Sequence, residues 1–281
     1  MDGVAVEEVS VPGARLYTET RGSGPLLLFV VGGNGDPIVF TGVAERLAAQ
    51  FTVVTYVRRG FVRSPLDGPV DHTNRIAADV EDAAALIVHH GDGSAYVFGS
   101  SSGAIVTLDL LTRRPELVRM AVVHEPPILQ LLDDPDVWAS RFARIFRTYE
   151  TAGLRSAMTE FGQAVGLGGP IGAAPGADVP QEIVAMVARA EENLTFWMEH
   201  ELRQYPAYHP NLVALAAVAK KLVPAGGRDS QENGNMPFLP IASLGRRLGR
   251  DVVEFPGGHV GYAEHPQEFA AQLDSVLSAD Q

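Results

Sequence analysis

The sequence predicts an α/β fold, a mostly parallel sheet covered by helices on both faces. Three observations carry that expectation. Apolar runs such as Pro25–Val31 and Val118–Val123 are continuous, as in strands buried on both faces. They alternate with segments whose apolar residues recur at helical spacing, such as Arg75–His90. A further apolar run, Ser94–Phe98, leads straight into Gly99-Ser100-Ser101-Ser102-Gly103 and then into an apolar helix-like segment.

Taken in order, Val4–Val11 and Ala14–Thr20 alternate around Pro12-Gly13 and read as an antiparallel hairpin. Pro25–Val31 is the first buried strand and ends in the loop Gly32-Gly33-Asn34-Gly35-Asp36. Val39–Gln50 reads as a helix and Phe51–Val57 as a strand. A Gly/Pro-punctuated loop, Arg58–Val70, precedes the helix Arg75–His90, for which Asn74 is the expected N-cap. The strand Ser94–Phe98, the helix Ser102–Arg114 and the strand Val118–Val123 follow.

The alternation stops at Glu125-Pro126-Pro127. Helices are expected over Val137–Thr151, Leu154–Val165 and Gln181–Tyr205, with a Gly/Ala/Pro-rich link over Gly166–Pro180. Strand signals return at Lys221–Ala225 and Asp251–Phe255, and helical ones at Asn211–Ala219, Pro240–Leu248 and Pro266–Leu277. The expected division is a core of residues 1–125 and 211–281 and a helical cap, 126–210, inserted after the sixth strand. In such sheets the catalytic groups sit on loops at the carboxyl ends of the strands, and the cap would lie over them.

Composition narrows the function classes. A chain of 281 residues buries a full core, and 46% hydrophobic with 20% charged residues is ordinary for a globular protein. A net charge of −12 repels phosphate backbones, so no nucleic-acid partner is expected. Without cysteine there is no disulfide framework and no thiolate metal site. Met1–Ser10 has neither a basic start nor a long apolar centre, so no signal peptide is expected. No stretch approaches the roughly 18 apolar residues of a membrane span, so no membrane partner is expected and the cytoplasm is the expected compartment. Nothing marks an interface, and monomer and homodimer both stay open.

The strand, sharp turn and helix around Ser101 have the form of a nucleophile elbow. Gly99 and Gly103 are small because strand and helix pass close together there, and Ser101 is held where its hydroxyl can attack a carbonyl. A serine nucleophile needs a base. Of the eight histidines, His259 follows the last strand through Pro256-Gly257-Gly258, which lets the backbone swing the imidazole over a neighbouring loop. The base needs an orienting carboxylate. Asp229, after Lys221–Ala225 and Gly226-Gly227-Arg228, is the expected acid. Glu125, at the end of the preceding strand, is the competitor. Backbone N–H groups of Ser102 and of Gly33 or Asn34 are the expected oxyanion hole. The cap carries Trp138, Phe142, Phe146, Phe161, Phe196 and Trp197. Trp138, Phe142, Phe146 and Trp197 are taken as the candidate wall of a largely apolar substrate pocket.

The segments Val30-Val31-Gly32-Gly33-Asn34-Gly35, Thr55-Tyr56-Val57-Arg58-Arg59-Gly60, Gly99–Gly103, Gly227-Arg228-Asp229 and Gly257-Gly258-His259 together resemble the α/β-hydrolase superfamily over nearly the whole chain. The resemblance implies an eight-stranded, mostly parallel sheet, a helical cap, no metal and no organic cofactor. It also implies Ser101 as nucleophile, His259 as base and Asp229 as acid. Two positions depart from the usual pattern. Val31-Gly32 stands where many members have His-Gly, which bears on how the oxyanion loop is supported. Val57 stands where many have a structural Asp. A serine at the elbow argues against the haloalkane dehalogenases and soluble epoxide hydrolases of this fold, which use an aspartate there.

The expected activity is hydrolysis of an ester, thioester or lactone of a medium-sized hydrophobic small molecule through an acyl-enzyme. Two alternatives stay open on the same fold. One is non-hydrolytic chemistry, such as perhydrolysis, a lyase reaction or a carbon–carbon bond step. The other is a protein that binds a small molecule without turning it over.

Overall fold

The computed structural model describes residues 3–167 and 181–279, leaving aside the side chains of 181–186. Most of the link expected at Gly166–Pro180 lies outside the described residues. Eight strands, β1 (Ala5–Val11), β2 (Ala14–Arg21), β3 (Leu26–Val30), β4 (Thr52–Tyr56), β5 (Ala95–Ser100), β6 (Val118–His124), β7 (Leu222–Gly227) and β8 (Val253–Phe255), form one sheet in the order β1-β2-β4-β3-β5-β6-β7-β8. β1 and β2 pair antiparallel, β2 joins β4 antiparallel, and the rest is parallel.

The helices are α1 (Thr41–Leu47), α2 (Arg75–His90), α3 (Ser102–Arg113), α4 (Pro135–Val165), α5 (Gln181–His200), α6 (Leu212–Ala217), α7 (Arg228–Glu232), α8 (Phe238–Leu248), α9 (Gly261–Glu264) and α10 (Pro266–Ser278). Alternation along each strand decides which layer a residue joins. Leu28 and Val30 of β3 belong to the same core layer as Val80 and Ile87 of α2, Ile105 of α3 and Ile241 of α8. Leu27 and Phe29 pack on the other face with Val43 of α1 and Phe269 and Leu273 of α10. Every residue of β3 is buried, which is why the run carries no polar alternation.

Between β6 and β7, α4 and α5 are the long elements and no strand occurs among the described residues. α4 turns back on itself at Gly153 (φ 82°, ψ 172°). Phe142 meets Phe161 with ring centroids 6.1 Å apart, and Glu160 accepts from both Arg144 and Thr148. The two halves therefore pack antiparallel, and they correspond to the helices expected over Val137–Thr151 and Leu154–Val165. α5 stops at His200, short of the Tyr205 the periodicity suggests, and 201–207 run on as hydrogen-bonded turns. Pro206 cannot continue a helix and restricts the residue before it. Glu201 and Tyr205 are drawn wholly into the interior. α7 and α9, five and four residues long, are too short to leave a periodic signal.

Candidate active site

β5 reaches its carboxyl end at Ser100, and the chain turns into α3 within one residue. That residue, Ser101, sits at φ 57°, ψ −125°, a conformation L-residues rarely adopt. Its N–H donates to the His124 carbonyl at 3.0 Å, and its own carbonyl accepts from Ala104 at 3.0 Å. The turn is possible because the flanking glycines lack side chains. A Cβ at Gly103 would overlap the Val30 carbonyl oxygen, and one at Gly99 would overlap the Thr107 hydroxyl and approach the Gly103 carbonyl.

Among the described residues only one other non-glycine residue has positive φ: Glu125, at 49°. It follows the carboxyl end of β6, next to β5, and continues the ladder by donating its N–H to the Ala225 carbonyl at 3.2 Å. Strain of this kind costs about 1–3 kcal/mol per residue and gathers at functional sites. At Glu125 it aims a fully buried carboxylate at three donors. Oε2 lies 2.7 Å from His259 Nδ1 and 3.3 Å from Ser230 Oγ, and Oε1 accepts from the Gly227 N–H at 2.8 Å. Burial pushes the carboxyl pKa up. The His259 hydrogen bond, the neighbouring imidazoles and the Gly227 N–H outweigh it and hold the value below the usual glutamate range.

The structure places Asp229, the acid expected from sequence, away from His259: it is exposed and does not meet the imidazole. β7 ends at Gly227, whose N–H is already committed to Glu125, and the chain enters α7 at once. In the first turn of α7 the Asp229 side chain points to solvent, while its N–H donates to the Gly257 carbonyl at 3.0 Å and so ties α7 to the loop that carries His259.

Ser101, Ser102, Gly33, Asn34 and His259 all border one cavity of about 210 Å³. Ser102 is the first residue of α3, so its N–H is among those without an intrahelical partner. His259 is 8% exposed and is the one histidine on the cavity wall among the described residues. His124 lies behind it, fully buried, with Nδ1 3.1 Å from Ser100 Oγ and its ring 6.2 Å from that of His259. Burial lowers the His124 pKa to about 4, so the ring is neutral at pH 7.

Most of the wall is apolar. Phe142 and Trp197 line it as expected, but Trp138 and Phe146 do not. Residues four apart on a helix drift about 40° per step. Of 138, 142 and 146, only the middle one therefore faces the cavity. Trp138 packs beside Phe142 under Arg141, and Phe146 lies under the Arg203 guanidinium, 3.7 Å from its ring centroid. Met158, Phe161, Met236 and Tyr262 complete much of the wall. Of these, only Phe161 was among the cap aromatics visible in the sequence. Met158 shares its helix face at i, i+3, a spacing that signals a common face but not what it faces. Glu7, His89 and His90 form the one group of three potential metal ligands among the described residues, and none of them touches the cavity. No helix among the described residues is long and apolar enough to cross a membrane.

The chain is similar to several known proteins. An uncharacterized hydrolase of Bacillus subtilis (strain 168), YraK, is 34% identical over 277 residues, covering 97% of this chain and 96% of that one. A zearalenone hydrolase of Bionectria ochroleuca is 28% identical over 273 residues, covering 93% and 94%. A crystal structure of a bacterial membrane phospholipase A superposes with a TM-score of 0.71 at 19% identity, covering 99% of this chain and 87% of that one, which is a likeness of fold. Residues 27–272 match the Alpha/beta hydrolase family. With that match spanning most of the chain, this protein belongs to the alpha/beta hydrolase family and is a hydrolase.

Proposed function

We propose that this protein cleaves a carboxylic ester bond, in an ester, thioester or lactone, of a hydrophobic small molecule, with Ser101 as nucleophile, His259 as base and Glu125 as acid. The observation that carries this reading is the 2.7 Å hydrogen bond from the buried Glu125 carboxylate to Nδ1 of His259, which lines the cavity that Ser101 borders. With Nδ1–H donated to Glu125, Nε2 carries the lone pair a general base needs. Ser101 Oγ attacks the carbonyl carbon as its proton passes to His259 Nε2. The carbonyl oxygen takes up the negative charge beside the Ser102 N–H and an N–H of Gly33 or Asn34. Glu125 stabilises the imidazolium, which then protonates the departing alkoxide or thiolate. A water gives its proton to Nε2 and attacks the acyl-Ser101 carbonyl, and its collapse releases the acid and restores the serine.

The apolar wall suits a substrate whose scissile carbonyl is its chief polar group. Two curated relatives, matched over more than nine-tenths of this chain, are named zearalenone hydrolases, so zearalenone belongs in the first panel beside p-nitrophenyl esters and simple lactones. The test is intact mass after treatment with a fluorophosphonate. We expect one adduct on the wild type, none on Ser101→Ala, and loss of essentially all ester or lactone turnover in that variant. An untouched wild type that also leaves every ester and lactone in the panel intact would overturn the reading.

A further inference from the structure

The loop that supplies the oxyanion N–H groups is held by a residue outside the triad. Arg58, just after β4, is wholly buried. Its backbone N–H donates to the Gly35 carbonyl at 3.2 Å, and its Nη2 donates to the Gly32 carbonyl at 3.1 Å. One residue thus grips both ends of Gly32–Gly35. Gly32 lies against the nucleophile: a Cβ there would stand 2.8 Å from Ser101 Cβ and 3.4 Å from Ser101 Oγ. Val31, where many relatives carry a histidine, has no side-chain donor to offer the loop.

The guanidinium is itself held from two sides. Asp79 of α2 accepts from Nη1 at 2.6 Å, and Tyr205 OH donates to the same carboxylate oxygen at 2.5 Å. Glu201, in the turn after α5, accepts from Nη2 at 2.5 Å and from Arg75 Nη2 at 2.8 Å. Glu201 is fully buried, and its N–H donates to the carbonyl of Trp197 at 2.8 Å. The Trp197 indole fills the space over Gly33 where a side chain would otherwise stand. The two arginines and two carboxylates balance in charge. Buried pairs of this kind gain little net stability over an apolar filling, whereas a planar guanidinium bonded through both Nη groups fixes geometry closely.

We propose that Arg58 is a positioning residue for the oxyanion loop, and that Glu201, carried in by the helices inserted between β6 and β7, holds it in place. Docking of those helices therefore completes the oxyanion hole as well as covering the cavity. The arrangement of the loop N–H groups then depends on a carboxylate from the far end of α5.

The inference rests on the serine-hydrolase reading, and the test separates the two. The variants are Glu201→Gln and Arg58→Lys, with Arg59→Lys as control. Arg59 is likewise buried and ion-paired, to Asp82 (2.6 and 2.5 Å), but does not touch the loop. The readouts are the fluorophosphonate reaction rate, and kcat and KM on one ester. Loss of a whole oxyanion donor costs about 10²–10³ in kcat, so misplacement should cost about 10- to 100-fold. We expect that loss in kcat and in phosphonylation rate for both test variants. KM should stay within about threefold and the melt cooperative, and Arg59→Lys should keep wild-type kcat. If Glu201→Gln does not fold, Arg58→Met/Glu201→Met removes the pair with charge balance kept and carries the same expectation. Folded variants that react at the wild-type rate, or an equal kcat loss in Arg59→Lys, overturn this inference. A wild type that does not react at all overturns the serine-hydrolase reading instead.

Discussion

Asp229 and Glu125 both follow strands next to the loop of His259, and only one has its carboxylate on the imidazole. Asp229 is spent on the first turn of α7, while Glu125 is turned inward by a backbone that few residues tolerate. Glu125→Gln keeps the shape but removes the charge that, in the proposed mechanism, stabilises the imidazolium and selects its tautomer. It should lower kcat by about 10²–10⁴-fold. Asp229→Asn, at an exposed site, should leave kcat within about threefold. Steady-state kinetics on one ester decides between them, and the reverse ranking would return the acid role to Asp229. Glu125 was legible as a competitor because it ends a strand. The choice was not legible, because it depends on a φ of 49° and on the Gly227 N–H.

The elements are set by how closely they approach one another. Gly103 lets α3 pack on the Val30 and Val31 carbonyls, backbone atoms that cannot swing aside. Gly153 stands in open space, and only its backbone conformation resists a side chain. Gly103→Ala should therefore cost about 4 kcal/mol or prevent folding, and Gly153→Ala about 1–3 kcal/mol. Urea midpoints rank the two, and a milder Gly103→Ala would contradict the close-approach account. The strand–turn–helix around Ser101 was readable because it is built from adjacent residues. That α4 doubles back, bringing Phe142 onto Phe161, is settled by the pairing of its two halves and not by either half alone.

Across the whole molecule, burial lowers the pKa of four histidines, His72, His90, His124 and His200. A histidine whose folded pKa is depressed contributes stability that is full above its unfolded value. That stability is lost as pH falls toward the folded one. For His124 the window runs from 6.5 down to about 4, and its share of the loss is about 2 kcal/mol between pH 7.5 and pH 5. Glu125, also held low, adds to the loss at more acid pH. Urea unfolding at pH 7.5 and pH 5 should show the wild type weakening on acidification, and His124→Phe weakening by about 2 kcal/mol less. Equal pH dependence in the two proteins would mean that His124 is not held neutral by the fold.

What the sequence alone determined was the sheet and its helices, the elbow at Ser101, the histidine after the last strand and the glycine loop opposite. These are written in residues a few positions apart, where period, small side chains and strand ends act locally. Tertiary structure decided which carboxylate meets His259, which aromatics face the cavity and that Arg58 grips the Gly32–Gly35 loop. Glu125 lies 134 residues from His259, and Arg58 lies 143 from Glu201. Contacts at that separation are fixed by how strand ends converge and by which polar groups a dry interior leaves to one another, and no local pattern encodes either.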